Sequence, residues 1–165
     1  MNAAHLHLIL NHIPVVGLGV VILLLLYAMA RKNDELKKVT LAAFVLIALV
    51  TIAAYLTGER TEEIVVHLPG VSQAIIDQHQ DAATASLVAI ELLGAVSLAG
   101  LIFYRRSKVL PKWFAAVSLV VSLAAAGLMA WTANLGGEIR HTEIRAGVSV
   151  SSPPGVGSEG NHQEK

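Results

Sequence analysis

Seven histidines stand in this chain, and their places relative to the apolar runs are where chemistry can be read. His5, His7 and His12 precede the first run, the last of them within Asn11-His12-Ile13-Pro14. His67 and His79 follow the second run, His141 follows the fourth, and His162 lies in a polar tail. Two neutral imidazoles on facing helices can hold a haem b through its iron, with no covalent link to the chain. A flat macrocycle also needs small residues one or two turns from each ligand, so that helix backbones can lie close to it. Gly19 comes seven residues after His12 on the same helix face, and Ala82, Ala83, Thr84, Ala85 and Ser86 follow His79. Gly137 comes four residues before His141. His12, His79 and His141 are therefore the expected axial ligands. His7, which forms an H-x4-H-x-P unit with His12, completes a second pair if two haems bind. Arg140 and Arg145 are the expected cationic partners of the haem propionates. The plain alternative for any single histidine is an interfacial imidazole that binds nothing.

The same region offers a second chemistry. Glu138-Ile139-Arg140-His141 is an E-x-x-H unit, which sets a carboxylate and an imidazole on one helix face. With His67 and Asp77 it makes a set of oxygen and nitrogen donors suited to zinc or non-haem iron. A di-iron bundle carries two E-x-x-H units and two further glutamates, and outside the polar tail this chain has a single E-x-x-H unit, so this reading ranks second. Glu91 is separate. It falls near the middle of the third apolar run, where an ionisable group costs at least ~2.5 kcal/mol to insert. A proton relay or a quinone contact is the functional expectation; a protonated carboxyl bonded to a neighbouring hydroxyl is the structural one.

The elements that must position these groups follow from composition. Of 165 residues, 55% are hydrophobic and only 15% charged, against about a quarter in soluble domains. Mean hydropathy is +0.63. A spanning helix needs about 20 mostly apolar residues, and four stretches qualify: residues 12–30, 39–57, 82–104 and 113–135. The positive charges Arg31, Lys32, Lys37 and Lys38 come after the first stretch, so it is expected to stay as a membrane span rather than act as a cleaved signal. Those cations, with Arg105, Arg106, Lys108 and Lys112, put the first and third connections in the cytoplasm. The second connection, 58–81, holds Arg60 among five carboxylates and faces outward with both termini. All six histidines outside the tail then lie at the outer face. Val71 to His79 either begins the third span early or lies along the interface. Ser118, Ser122 and Ala126, with Gly94 and Gly100, are small residues that allow close helix approach. Trp113, Trp131, Tyr55 and Tyr104 fall near span ends, as interfacial aromatics do. Net charge is zero with histidine neutral, which gives no field for nucleic acid, and the absence of cysteine excludes disulfides, thiolate sites and C-x-x-C-H haem attachment.

The expected architecture is all-α: an integral membrane antiparallel four-helix bundle over residues 1–147, with a disordered outer tail over 148–165. His7 to Pro14 (HLILNHIP), the His79 region and Leu135 to His141 (LGGEIRH) resemble a bacterial family of short four-helix membrane proteins known as a domain of unknown function. Its members open with H-P-x-x-V-H-F-P and close with G-G-x-x-x-x-H. Here Leu8 replaces the first proline, Ile13 the phenylalanine, and His141 follows Gly137 by four residues. The resemblance implies that these histidines belong to one site. The residues themselves lead to a b-type cytochrome of the bacterial inner membrane, with one or two haems near the outer face. It is expected to be an electron carrier or complex subunit rather than a stand-alone enzyme, passing electrons between membrane quinol and an outer-face redox protein. Homo-oligomerisation or membership of a larger complex goes with that role. A zinc or iron site without haem, and a structural subunit without cofactor, are the alternatives.

Overall fold

Backbone amides in an apolar run have no water to bond within lipid, so the run closes its own hydrogen bonds as helix. The computed structural model describes residues 3–107 and 109–145, and all four runs take this form. Five helices are present: α1 (Ala3–Leu10), α2 (His12–Ala30), α3 (Asp34–Val65), α4 (Gln73–Ser107) and α5 (Lys112–Arg140). A 3-10 turn at Thr142–Ile144 follows them, and no strand occurs among the described residues. The segments Ala4–Ala30, Asp34–Val65, Gln73–Ser107 and Lys112–Arg140 are each long and apolar enough to cross a membrane. The chain is a multi-pass membrane protein. The tail expected over 148–165 lies outside the described residues.

The helices outrun the spans that hydropathy marks, because polar residues carry their ends beyond the apolar depth. At its start α3 is capped by Asn33, whose side chain accepts from the Leu36 amide at 2.9 Å, with Asp34 and Glu35 against the positive helix end. At its far end the Thr61 hydroxyl donates to Thr57 O at 2.7 Å, and Gln80 of α4 donates to the Glu62 carboxylate. The 58–81 connection therefore shrinks to seven residues, 66–72. Gly70 turns it with φ 78°, a conformation that disfavours any side chain. Of the two expectations for Val71 to His79, the early helix start is the one found.

α2 packs on α3 and α5, α3 on α4, and α4 on α5, so the spans close into a helical bundle, with α1 laid against α3 and α2. Contacts between α3 and α4 run in opposite order along the two helices: Glu35 with Tyr104, Ala48 with Gly94, Tyr55 with Thr84, Glu62 with Gln80. The buried face holds Leu18, Leu25, Leu41, Phe44, Ile90 and Leu93 but also Thr40, Ser97, Ser118 and Ser122, all fully buried. Leu23, Leu46, Val88 and Val120 point outward. Large apolar groups outside and small hydroxyls inside is the distribution lipid favours, since packing rather than water exclusion draws the helices together. The expected row of small residues on α5 continues from Ser122 to buried Ala125, with Ala126 only half-buried. Tyr104 departs from the interfacial expectation: it is buried, and its hydroxyl donates to Glu35 at 2.5 Å.

The first span loses one helical bond near its start. Pro14 has no amide for the Leu10 carbonyl, while Asn11 keeps helical backbone (φ −65°, ψ −26°) and donates to His7 O at 2.9 Å. Contacts with α3 run in opposite order along the span, Gly17 with Ile47 and His7 with Ala54, so α1 extends the packing of α2 on α3. Pro14→Ala is expected to restore the missing bond without moving α1 from α3. Spin labels on exposed Leu6 and Leu56 read this as an unchanged distance; a longer, broader distribution would mean that the proline holds α1 in place.

Candidate functional site

A carbonyl oxygen only accepts hydrogen bonds, so an imidazole nitrogen facing one must carry the proton. His7 of α1 sets Nδ1 at 2.9 Å from Ala54 O of α3. His79 of α4 sets Nδ1 at 3.0 Å from Thr132 O of α5. Both rings are thereby fixed with Nδ1 protonated and the Nε2 lone pair free. That is the state of a histidine ready to ligate a metal, since ligating histidines as a rule donate their other N–H to a carbonyl or carboxylate.

The backing of each ring is also the same. One turn beyond each acceptor carbonyl stands a glycine, Gly58 beyond Ala54 and Gly136 beyond Thr132. A Cβ on Gly58 would come within 3.0 Å of His7 Cε1, and one on Gly136 within 3.1 Å of His79 Cε1. Glycine inside a helix costs about 1 kcal/mol relative to alanine, and here the missing side chain is the seat of an imidazole. The acceptor–glycine arrangement thus occurs twice, once on each side of the bundle, and His7 lies within electrostatic range of His79. Two further polar groups belong to this end. Asn11 follows His7 by one turn, and its Oδ1 is buried with no hydrogen-bond partner among the described residues. The Thr132 hydroxyl sits 2.8 Å from that of Ser86 in the α4–α5 seam.

The other expected residues lie apart from this pair. His12 is exposed and bonds Leu8 O at 2.7 Å, across the α1–α2 junction in its own segment. His141 is exposed beyond α5 and donates to Glu143 at 2.9 Å. His67 is exposed in the 66–72 connection. Arg145 spends its donors on Glu138 O, Ile139 O and Gly70 O, tying the end of α5 to the Gly70 turn, and Arg140 is exposed. Glu138 accepts from Asn134 and Asp77 from Gln73, each within its own helix. Among the described residues no group of three or more histidines and carboxylates is placed to hold a metal ion. Glu91 lies midway along α4, half-buried, its Oε1 without a hydrogen-bond partner among the described residues.

The roles of Gly58, Thr132 and Asn11 are not apparent from the sequence. The available signal for Gly58 is a glycine near the end of an apolar run, level with the histidines. Its pairing with His7 depends on how α1 leans on α3, which no spacing encodes.

No family model, no curated protein and no solved structure matches this chain.

The Glu143 carboxyl is held below the usual carboxylate range, first by its own backbone amide and then by the His141 N–H. A depressed carboxylate contributes its stability at neutral pH and loses it as pH falls through the depressed value. His141→Ala is expected to raise the Glu143 midpoint only part of the way, because the amide bond remains. Carbon-detected NMR titration of the side chain measures this, and full return to the ordinary glutamate value would make the imidazole the main cause.

Proposed function

We propose that this protein is a b-type cytochrome of the bacterial inner membrane, an antiparallel four-span bundle with both termini on the outer side. Its haem would be held by His7 and His79. The observation that carries this reading is the repeated half-site: an imidazole with Nδ1 tied to a backbone carbonyl, Nε2 free, and a glycine behind the ring. Two histidines without a third ligand nearby suit the two axial positions of a haem better than the three or four ligands of a zinc site. The glycine seats let the two imidazoles lie close to the facing backbones, and Asn11 Oδ1 at the same end is left unpartnered among the described residues.

Held by the two imidazoles of His7 and His79, such a haem would supply one-electron transfer, so a carrier role is favoured over catalysis. The chain's own part is to fix the two ring planes through Ala54 O and Thr132 O. The packing of α1 on α3 and of α4 on α5 sets each imidazole against its acceptor carbonyl. Membrane quinol is the proposed donor and an outer-face redox protein the acceptor, with the chain acting as a homo-oligomer or within a larger complex. Glu91 is the quinol-facing or proton-bearing group of this reading. Arg140 is the remaining cation for a propionate, since Arg145 is engaged by backbone carbonyls.

The deciding experiment is the oxidised and dithionite-reduced spectrum of protein purified in mild detergent from haem-replete cells, with metal analysis alongside. A Soret band and a sharp reduced α band with about one iron per chain are expected for the single bis-histidine site. A colourless protein sinks the reading.

A further inference from the structure

At the opposite end of α4 and α5, away from the histidines, the structure builds a cleft that the electron-transfer reading does not use. Pro111 holds extended backbone (φ −57°, ψ 142°) just before α5 and accepts from the Phe114 amide. That start drives Phe114 toward α4, where Gly100 has no Cβ to oppose it; a Cβ there would meet the ring at 2.5 Å. Trp113 stacks edge-on against Phe114 with ring centres 5.6 Å apart. The result is an open cleft of about 220 Å³ walled by Ala99, Phe103, Pro111, Trp113 and Phe114. A second depression of about 400 Å³ adjoins it through Ala99 and Phe103 and is rimmed by Arg106.

Charge at this end is one-sided. From Leu92 to Gly137 the chain contains no aspartate or glutamate. Arg105, Arg106 and Lys112 are exposed, and no ion pair engages them among the described residues. The α2–α3 end is different: Lys37 pairs with Asp34 at 2.8 Å and Lys38 with Glu35 at 2.6 Å. Lys38 also lies over the Tyr104 ring at 5.4 Å. Two of the four cations of that turn are thus matched internally, whereas Arg105, Arg106 and Lys112 beside the cleft are all left for an external anion.

We infer that this cleft is a binding site for one anionic phospholipid, with an acyl chain between Phe103 and Trp113 and the phosphate on Arg106 and Lys112. The cleft walls present no hydroxyl, carboxylate or imidazole, and the Trp113 indole N–H is the single neutral side-chain donor among them. A chain of methylenes ending in a phosphate meets an apolar wall first and cations at the rim.

Trp113 reports the site directly. In a Trp131→Phe background, the full chain is placed in phosphatidylcholine nanodiscs containing either brominated phosphatidylglycerol or brominated phosphatidylcholine. At equal low fractions the anionic lipid is expected to quench Trp113 several-fold more effectively. Arg106→Gln and Lys112→Gln are each expected to weaken that association about fivefold, the contribution of one interfacial cation. Ala99→Phe fills the cleft while leaving every charge in place, and should abolish the preference. Equal quenching by the two lipids overturns the inference. A preference that responds to the charge variants but survives Ala99→Phe also overturns it, since the cations alone would then attract lipid without a built site. None of these readouts depends on haem.

Discussion

Alanine at His7 or at His79 is expected to abolish the haem spectrum, while alanine at His12 or His141 leaves it intact. The reasoning rests on which imidazoles are pre-set. A free histidine must choose a tautomer and a rotamer when it ligates; His7 and His79 have both fixed by Ala54 O and Thr132 O. His12 and His141 are exposed and bond within their own segments. Gly136→Val gives a graded version: the added bulk displaces the His79 ring from Thr132 O without removing the ligand. Loss of such outer-shell orientation typically weakens metal binding about 10–100-fold. Absorption titration with haemin reads all five variants, and elution as an intact detergent complex separates ligand loss from misfolding. If His12→Ala or His141→Ala removes the spectrum and His7→Ala does not, the paired half-site is not the ligand set.

How far the sequence leads is clear from these same residues. The four spans and the collection of histidines near one end are legible because hydropathy and charge clusters act over whole segments. His79 is legible too, since it lies next to a run of small residues on one helix. Its partner is not. His7 becomes a candidate only once the register of α1 against α3 is known, since Ala54 O and Gly58 stand on the other helix. Spacing within one helix favours His12, seven residues before Gly19, yet the glycines that seat imidazoles are on other helices. Gly58 serves His7 and Gly136 serves His79, across sequence separations of 51 and 57 residues. Sequence periodicity speaks about a face of one helix; the site is set by the register between two. The same limit explains the α5 ends, where the E-x-x-H unit turns out to be split, with Glu138 bonded to Asn134 and His141 beyond the helix.

The two half-sites are related to one another by the packing of α3 on α4, and a close contact there yields the second large effect. Gly94 of α4 faces Ala48 of α3 so closely that a Cβ on Gly94 would fall 2.6 Å from the Ala48 Cβ. Both positions are buried, and the neighbour on the other side is a methyl group that has no rotamer to yield. Gly94→Ala must therefore push two backbones apart, although alanine is the better helix former by about 1 kcal/mol. Overpacking of this kind typically costs about 1–3 kcal/mol, so a net destabilisation is expected despite the propensity gain. Ala48→Gly alone should also destabilise, through lost contact and a second helical glycine. The double variant, Ala48→Gly with Gly94→Ala, moves the methyl from one helix to the other and should recover most of the loss. Coupling of opposite sign to the single effects is the signature of direct contact. Unfolding in mixed detergent micelles measures all four corners of the cycle. Additive losses would mean that Gly94 acts through α4 alone and that some other contact sets the α3–α4 register that relates the two half-sites.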